Sequence, residues 1–171
     1  DLEMSVGAAC RLEYAVNGKG ELQVRMDYRP LKDGLQLIPK VGMRMRIPAE
    51  YSQVSWYGRG PHENYPDRKS GYFIGQYSMP LDEFIFDYAS PQDNANRCDT
   101  RWFSLGNGSR DIEIHGLQEL NFRAWPYGEE DLEGSAHPFD IPARDFINVN
   151  IHIATLMLTF LYRFMPELIK Q

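Results

Sequence analysis

Apolar and polar residues alternate one by one through most of this chain, and that pattern restricts it to strands. In ELQVRMDYR, Leu22, Val24, Met26 and Tyr28 alternate with Gln23, Arg25 and Asp27. In VGMRMRIP, Val41, Met43, Met45 and Ile47 alternate with Gly42, Arg44 and Arg46. RDIEIHG places Ile112 and Ile114 on one face, LNFRAW places Leu120, Phe122 and Ala124 together, and FINVNIHI sets Ile147, Val149, Ile151 and Ile153 against Asn148, Asn150 and His152. A period of two is the mark of a strand with one face in a core and the other wet, as antiparallel sheets allow. Turn signals separate the runs: NGKG at 17–20, KDG at 32–34, GRGP at 58–61, GNGS at 106–109 and Pro126. Asn17-Gly18 predicts a hairpin. The one helix signal is short: Tyr127-Gly128 leads into EEDLEGSAH, whose acids suit a helix N-terminus. Many strands, short turns and little helix predict an all-β fold, a large antiparallel β-sandwich.

At 171 residues the chain suits a single domain, 1–171. Its net charge of −6 argues against nucleic acid, which selects a basic patch. Cys10 and Cys98 read as free thiols in a reducing compartment. Together these predict a cytoplasmic location, with the periplasm as the alternative. No initiator Met precedes DLEMSVGAAC, so the chain reads as an excised piece. The run IATLMLTFLY at 153–162 carries no charge but is too short to span a membrane, so no membrane partner is expected. It reads as a buried strand continuing from Ile147, as a core helix, or as an exposed apolar tail that seeks a partner.

Two segments are too polar and too dense for periodicity to explain: WYGRGPHENYPDRK at 56–69 and SPQDNANRCDTRW at 90–102. Sugar hydrolysis needs two carboxyl groups across a cleft. Glu63 and Asp67 are the loop candidates, but they sit beside Arg59, Arg68 and Lys69, and paired carboxylates make poor acids. Glu129, Glu130, Asp131 and Glu133 read as a charged helix start. His62, His115, His137 and His152 are not spaced as metal ligands, and no metal site is predicted. Asn94, Asn96, Arg97, Asp99 and Arg101 offer many directional donors and acceptors. They suit sugar hydroxyls, and equally a loop that satisfies its own backbone.

These two segments, preceded by LIPKVGMRMRIP and followed by EEDLEGSAHPFDIPARDFINVNI, resemble the C-terminal domain of the large bacterial β-galactosidases of glycoside hydrolase family 2. The resemblance covers roughly residues 10–152 and keeps the order and spacing of the motifs. It implies the fifth domain of a five-domain enzyme, with a topology similar to galactose mutarotase. The parent would hydrolyse terminal non-reducing β-D-galactose residues, as in lactose, with retention of configuration. Its two catalytic glutamates would belong to a TIM barrel absent here, so no catalytic residue is assigned to this chain. The TIM barrel and the other parent domains are the implied partners, galactosides are bound through the parent, and a homo-oligomer is allowed. The parent family uses Mg and Na bound mainly elsewhere, and no cofactor is expected in this domain.

On this reading Arg59, Gly60, Pro61, His62, Glu63, Asn64, Tyr65, Asp67 and Arg68 form a signature loop that holds one shape. Gly58 and Gly60 would allow a left-handed backbone, Pro61 and Pro66 would stiffen it, and Arg59, Glu63, Asp67 and Arg68 would pair. Asn94, Asn96, Arg97, Asp99 and Arg101 are the residues assigned to substrate. The chain departs from the family after residue 152. A Gly-Gly-Asp-x-Ser-Trp-Gly stretch, whose tryptophan forms a platform for the sugar, is replaced at 153–171 by an apolar sequence, either divergent, out of frame or vector-derived. Two other classes stay open: a free-standing carbohydrate-binding module, and a mutarotase-like isomerase with His62 or His137 as acid.

Overall fold

A computed structural model of the chain describes residues 2–4, 8–31 and 40–154. Nine strands carry these residues, every pairing between them is antiparallel, and the fold class is all-β as expected. The chain falls into two compact units, divided after Pro39. The predicted turn at 32–34 and the apolar tail from residue 155 lie outside the described residues.

The first unit is a three-stranded sheet of β1 (Leu2–Met4), β2 (Ala8–Val16) and β3 (Leu22–Pro30) in that order. The hairpin expected at Asn17 is present, but with a five-residue loop, since Val16 pairs with Leu22. Asn17 closes it: its side-chain oxygen accepts the N–H groups of Lys19 (2.9 Å) and Glu21 (3.1 Å). Gly20, not Gly18, takes the left-handed backbone, with φ +84°. Ala8, Cys10 and Tyr28 are buried here, and Cys10 and Cys98 are both free thiols.

The second unit is a six-stranded sheet built from β4 (Lys40–Pro48), β5 (Gln53–Gly60), β6 (Phe73–Pro80), β7 (Arg97–Gly106), β8 (Asp111–Trp125) and β9 (Phe146–Ala154). Its order is β4-β9-β8-β7-β5-β6. RDIEIHG and LNFRAW, expected as separate strands, are one continuous β8 of 15 residues. Irregular register between β7 and β8 near Thr100 absorbs the mismatch. Helices are minor: α1 (Leu81–Phe84), α2 (Glu129–Gly134) and a 3₁₀ turn at Pro138–Asp140. The expected helix at 129 is therefore shorter than its sequence suggested, and α1 had no sequence signal.

The core lies on one face of this sheet, where Val54, Trp56, Phe103, Leu105, Phe122, Ile147 and Val149 meet Phe84 of α1. Phe103 stacks on Phe122 with ring centres 4.1 Å apart, and Phe84 meets Phe122 at 5.6 Å. Gly58 and Gly60 serve this packing differently from the expectation, since neither has a positive φ. A Cβ on Gly58 would lie 2.6 Å from the Thr100 hydroxyl, and one on Gly60 would lie 2.7 Å from the Tyr77 ring. What those positions require is close approach, and only a residue without a Cβ allows it.

Candidate functional site

On β4, β9 and β8 the side chains facing away from the core form one polar surface. Gly42, Arg44 and Arg46 lie opposite His152, Asn150 and Asn148, which in turn lie opposite Asn121, Arg123 and Trp125. The sequence pattern predicts that Asn148, Asn150 and His152 are wet. They are buried instead, at 0%, 9% and 8% exposure. Long charged neighbours roof them. Glu129 at the start of α2 accepts from Arg44 (2.5 Å), Arg123 (3.0 Å) and the Asn148 amide (3.0 Å). Arg46 donates to Glu130 at 2.7 Å. Asp93 accepts from Arg123 and from the Tyr65 hydroxyl (2.8 Å), and Lys40 approaches it at 3.4 Å. The Arg123 guanidinium lies over the Trp125 ring, 3.8 Å from its centre. The acids at 129 and 130 thus act as ion-pair partners for a sheet face, beyond any role at the helix start.

Each charge in this layer has a partner of opposite sign, with four cations facing the three carboxylates of Asp93, Glu129 and Glu130. Burial raises the pKa of Glu129, but hydrogen bonds from Arg44, Asn148 and Arg123 outweigh it and hold the carboxyl at about 2. Burial likewise works against Asp93, yet the Arg123 charge leaves it below its ordinary value. Burial, then Lys40 and Arg123, push His152 down to about 3, so its imidazole is neutral near pH 7. Four buried atoms in the layer have no hydrogen-bond partner: His152 Nδ1, Asn150 Nδ2, Asn148 Oδ1 and Arg123 Nε. Beside them is an open cleft of about 260 Å³, lined by Lys40, Gly42, Met43, Arg44, Glu129, Asn150, Ile151 and His152. Gly42 is part of its shape, because a Cβ there would run into the Ile151 carbonyl and the His152 backbone.

The two dense polar segments meet as a clasp. The Asn64 side chain, fully buried, donates to the carbonyls of His62 (3.0 Å) and Arg59 (3.3 Å) and accepts the Cys98 N–H at 2.8 Å. Asn96 returns the contact, donating to the Asn64 carbonyl at 2.7 Å. Glu63 accepts the Ala95 N–H at 2.7 Å, and Ala95 has φ 65°. The same carboxylate takes Arg68 at 3.1 Å and the Tyr88 hydroxyl. Arg59 donates to Asp99 at 2.5 Å and to the Tyr72 carbonyl at 2.7 Å, and Lys69 binds Asp99 at 2.6 Å. The expected Arg68–Glu63 pair is thus present, while Arg59 finds its acid forty residues away. Asp67 is exposed, His62 is exposed, and the Gly60–Pro61 peptide is cis. Arg68 lies over the Tyr65 ring, 4.2 Å from its centre.

Of the residues assigned to substrate, Asn94 is buried between the Tyr127 hydroxyl (3.2 Å) and the Trp125 indole N–H (3.1 Å). Arg97, 1% exposed, donates to the carbonyls of Ala95 (3.1 Å), Asn96 (3.3 Å) and Phe84 (3.2 Å) and covers the Phe84 ring at 4.1 Å. Asp99 binds Arg59 and Lys69, and Arg101 binds Glu119 at 2.5 Å. The structure brings Asn96 to Asn64 and Asp99 to Arg59, but it does not gather the five around a common cleft. Reading the sequence alone did not single out Lys40, Gly42, Arg44 and Asn150, and it gave Glu129 to the helix start and His152 to a structural role. The signal on β4 and β9 was polar alternation, that of Glu129 was a helix start, and which elements are neighbours is not written locally.

Every described carboxyl with a displaced pKa (Asp93, Asp99, Glu129 and Asp131) is displaced downward. These groups are ionised near neutrality and hold no proton for a leaving sugar oxygen. His115 pairs with Glu113, and His137 pairs with Asp140 at 3.1 Å. Among the described residues no group of three or more His, Cys, Asp or Glu side chains could hold a metal ion, and no helix is long and apolar enough to cross a membrane.

Comparison with known proteins agrees with the motif resemblance. A family model described as the β-galactosidase small chain matches residues 2–157. A β-galactosidase of Priestia megaterium is 33% identical over 146 residues, which are 85% of this chain and 14% of that protein. A β-galactosidase of Vibrio cholerae is 30% identical over 149 residues, 87% of this chain and 14% of the relative. One of Aeromonas hydrophila is 38% identical over 110 residues, 62% of this chain and 10% of the relative. The chain therefore spans about one seventh of the length of the first two relatives. It belongs to the β-galactosidase small-chain family.

Proposed function

We propose that the chain is a non-catalytic domain of a β-galactosidase. In this reading its two units serve as one domain that shapes a wall of the active-site entrance and supports assembly around a TIM barrel. The barrel supplies both catalytic carboxyls, and the parent cleaves terminal non-reducing β-D-galactose with retention. The observation that carries the reading is the small-chain match across residues 2–157, in relatives more than six times longer. The downward displacement of Asp93, Asp99, Glu129 and Asp131 supports the non-catalytic part, because a glycosidase needs one carboxyl that keeps its proton. The clasp between residues 59–68 and 94–101 has a structural part in this scheme, presenting a fixed loop surface to the neighbouring domain. A chromogenic β-galactoside tests it. The purified chain alone is expected to give no hydrolysis above a mock preparation, and activity that co-purifies with the chain would overturn the reading.

A further inference from the structure

We propose that the cleft on β4 and β9 binds a small oxyanion, a phosphate group, between Lys40 and Arg44. The first support is placement. Lys40, Gly42 and Arg44 alternate along one face of β4, so the two cations flank a residue with no side chain, and all three line the cleft. At about 260 Å³ the cleft is small for a drug-sized ligand and ample for a phosphate group.

The second support is the charge count. Lys40, Arg44 and Arg123 share the carboxylates of Asp93 and Glu129. Adding the next pair outward, Arg46 with Glu130 at 2.7 Å, leaves the same excess of one positive charge, on a chain whose net charge is −6. Two neighbours register that excess. After burial, the Arg123 charge is the next cause lowering the pKa of Lys40, and Lys40 and Arg123 are the next causes lowering that of His152. Glu129 also stands in the wall, but its carboxylate is held by Arg44, Arg123 and Asn148, so it presents an ion pair and not a free negative charge.

The third support is unused donor capacity on the two cations. The Lys40 ammonium carries three N–H donors, and its one acceptor among the described residues is Asp93, at a long 3.4 Å. Arg44 reaches Glu129 and Glu130 through Nη1, which leaves its Nε and Nη2 without an acceptor among the described residues. Both side chains are part exposed, at 38% and 48%, so these donors are open to solvent. An oxyanion accepts from a lysine and an arginine together and supplies the charge that the count lacks. The inference concerns this chain's own surface and does not rest on the proposed function.

The test is a titration of the whole chain with inorganic phosphate, followed by the backbone amide signals in NMR, with sodium chloride at equal ionic strength as the control. The amides of residues 41–44 and 150–152 are expected to move and saturate, with a dissociation constant on the order of 1–10 mM. Lys40→Gln is expected to weaken binding about fivefold, while Lys19→Gln, on the hairpin of the first unit, changes nothing. The amide spectrum of Lys40→Gln shows whether its fold is kept, and the wild-type titration against chloride decides the matter if it is not. Glycerol phosphate in place of inorganic phosphate separates the two sources of the group: tighter binding assigns the site to a phosphate monoester, weaker binding to the free ion, and both support it. Shifts that fail to saturate by about 100 mM phosphate, that chloride reproduces, or that a folded Lys40→Gln leaves unchanged would overturn the proposal.

Discussion

Arg97 shows how much one residue can carry. Its guanidinium is buried against Phe84 and Trp56, with no carboxylate among its hydrogen-bond partners. Burial lowers its pKa to about 10, and it is still charged at neutral pH. Its three carbonyl acceptors come from Phe84, Ala95 and Asn96, so it ties the start of β7 to the end of α1. Arg97→Ala would orphan those carbonyls and open a cavity beside Trp56. The expected loss is about 3–4 kcal/mol, read from the urea midpoint at unchanged slope. A loss below about 1 kcal/mol would show that the guanidinium is not a structural tie. His152 makes a second residue-scale prediction. The unfolded chain binds a proton near the ordinary value of 6.5, and the folded chain does not until about 3. Below 6.5 the unfolded state therefore holds more protons, and folding stability falls as pH falls through that window. The slope from this residue is at most about 1.4 kcal/mol per pH unit. His152→Gln should flatten the stability profile between pH 6 and 4.5, leaving the steeper loss below 4.5, where Glu129 and Asp131, both held near 2, take up protons in the unfolded chain first. A profile unchanged by His152→Gln would mean that the imidazole titrates freely.

At the scale of elements, structure made by near neighbours in sequence is legible in the sequence. The alternation in VGMRMRIP and FINVNIHI predicts β4 and β9, and both form with Met43, Met45, Ile47, Ile147 and Val149 turned to the core. Asn17 marks its hairpin because an Asx turn is made by nearest neighbours. Errors arose where the deciding partner is remote in sequence. Asn148, Asn150 and His152 look like a solvent face until Arg44, Arg123 and Glu129 are laid over them, from 19 to more than 100 residues away. Gly58 and Gly60 look like turn glycines, and only the approach of Thr100 and Tyr77 shows what the missing Cβ is for. Asp99 is the partner of Arg59 because β5 and β7 are neighbours, a fact of sheet order that the loop itself does not encode. The candidate site was therefore less legible than the fold: its residues come from two strands and a helix, and their common feature is burial, not spacing.

At the scale of the molecule, the chain spans 85% of its own length but 14% of the Priestia megaterium relative in their alignment. Its carboxyls Glu63, Asp93, Asp99, Glu129, Glu130 and Asp131 are committed to arginines and lysines, its core is ordinary aromatic and aliphatic packing, and its polar segments clasp each other. On the proposed reading the chain holds shape for chemistry performed elsewhere. The most direct measurement replaces the matching 146-residue segment of the Priestia megaterium β-galactosidase with this chain's and assays hydrolysis of a chromogenic β-galactoside. The account predicts that the chimera is active, that the enzyme with the segment deleted is not, and that this chain alone is not. Hydrolysis by the chain alone, or full activity of the deleted enzyme, would contradict it.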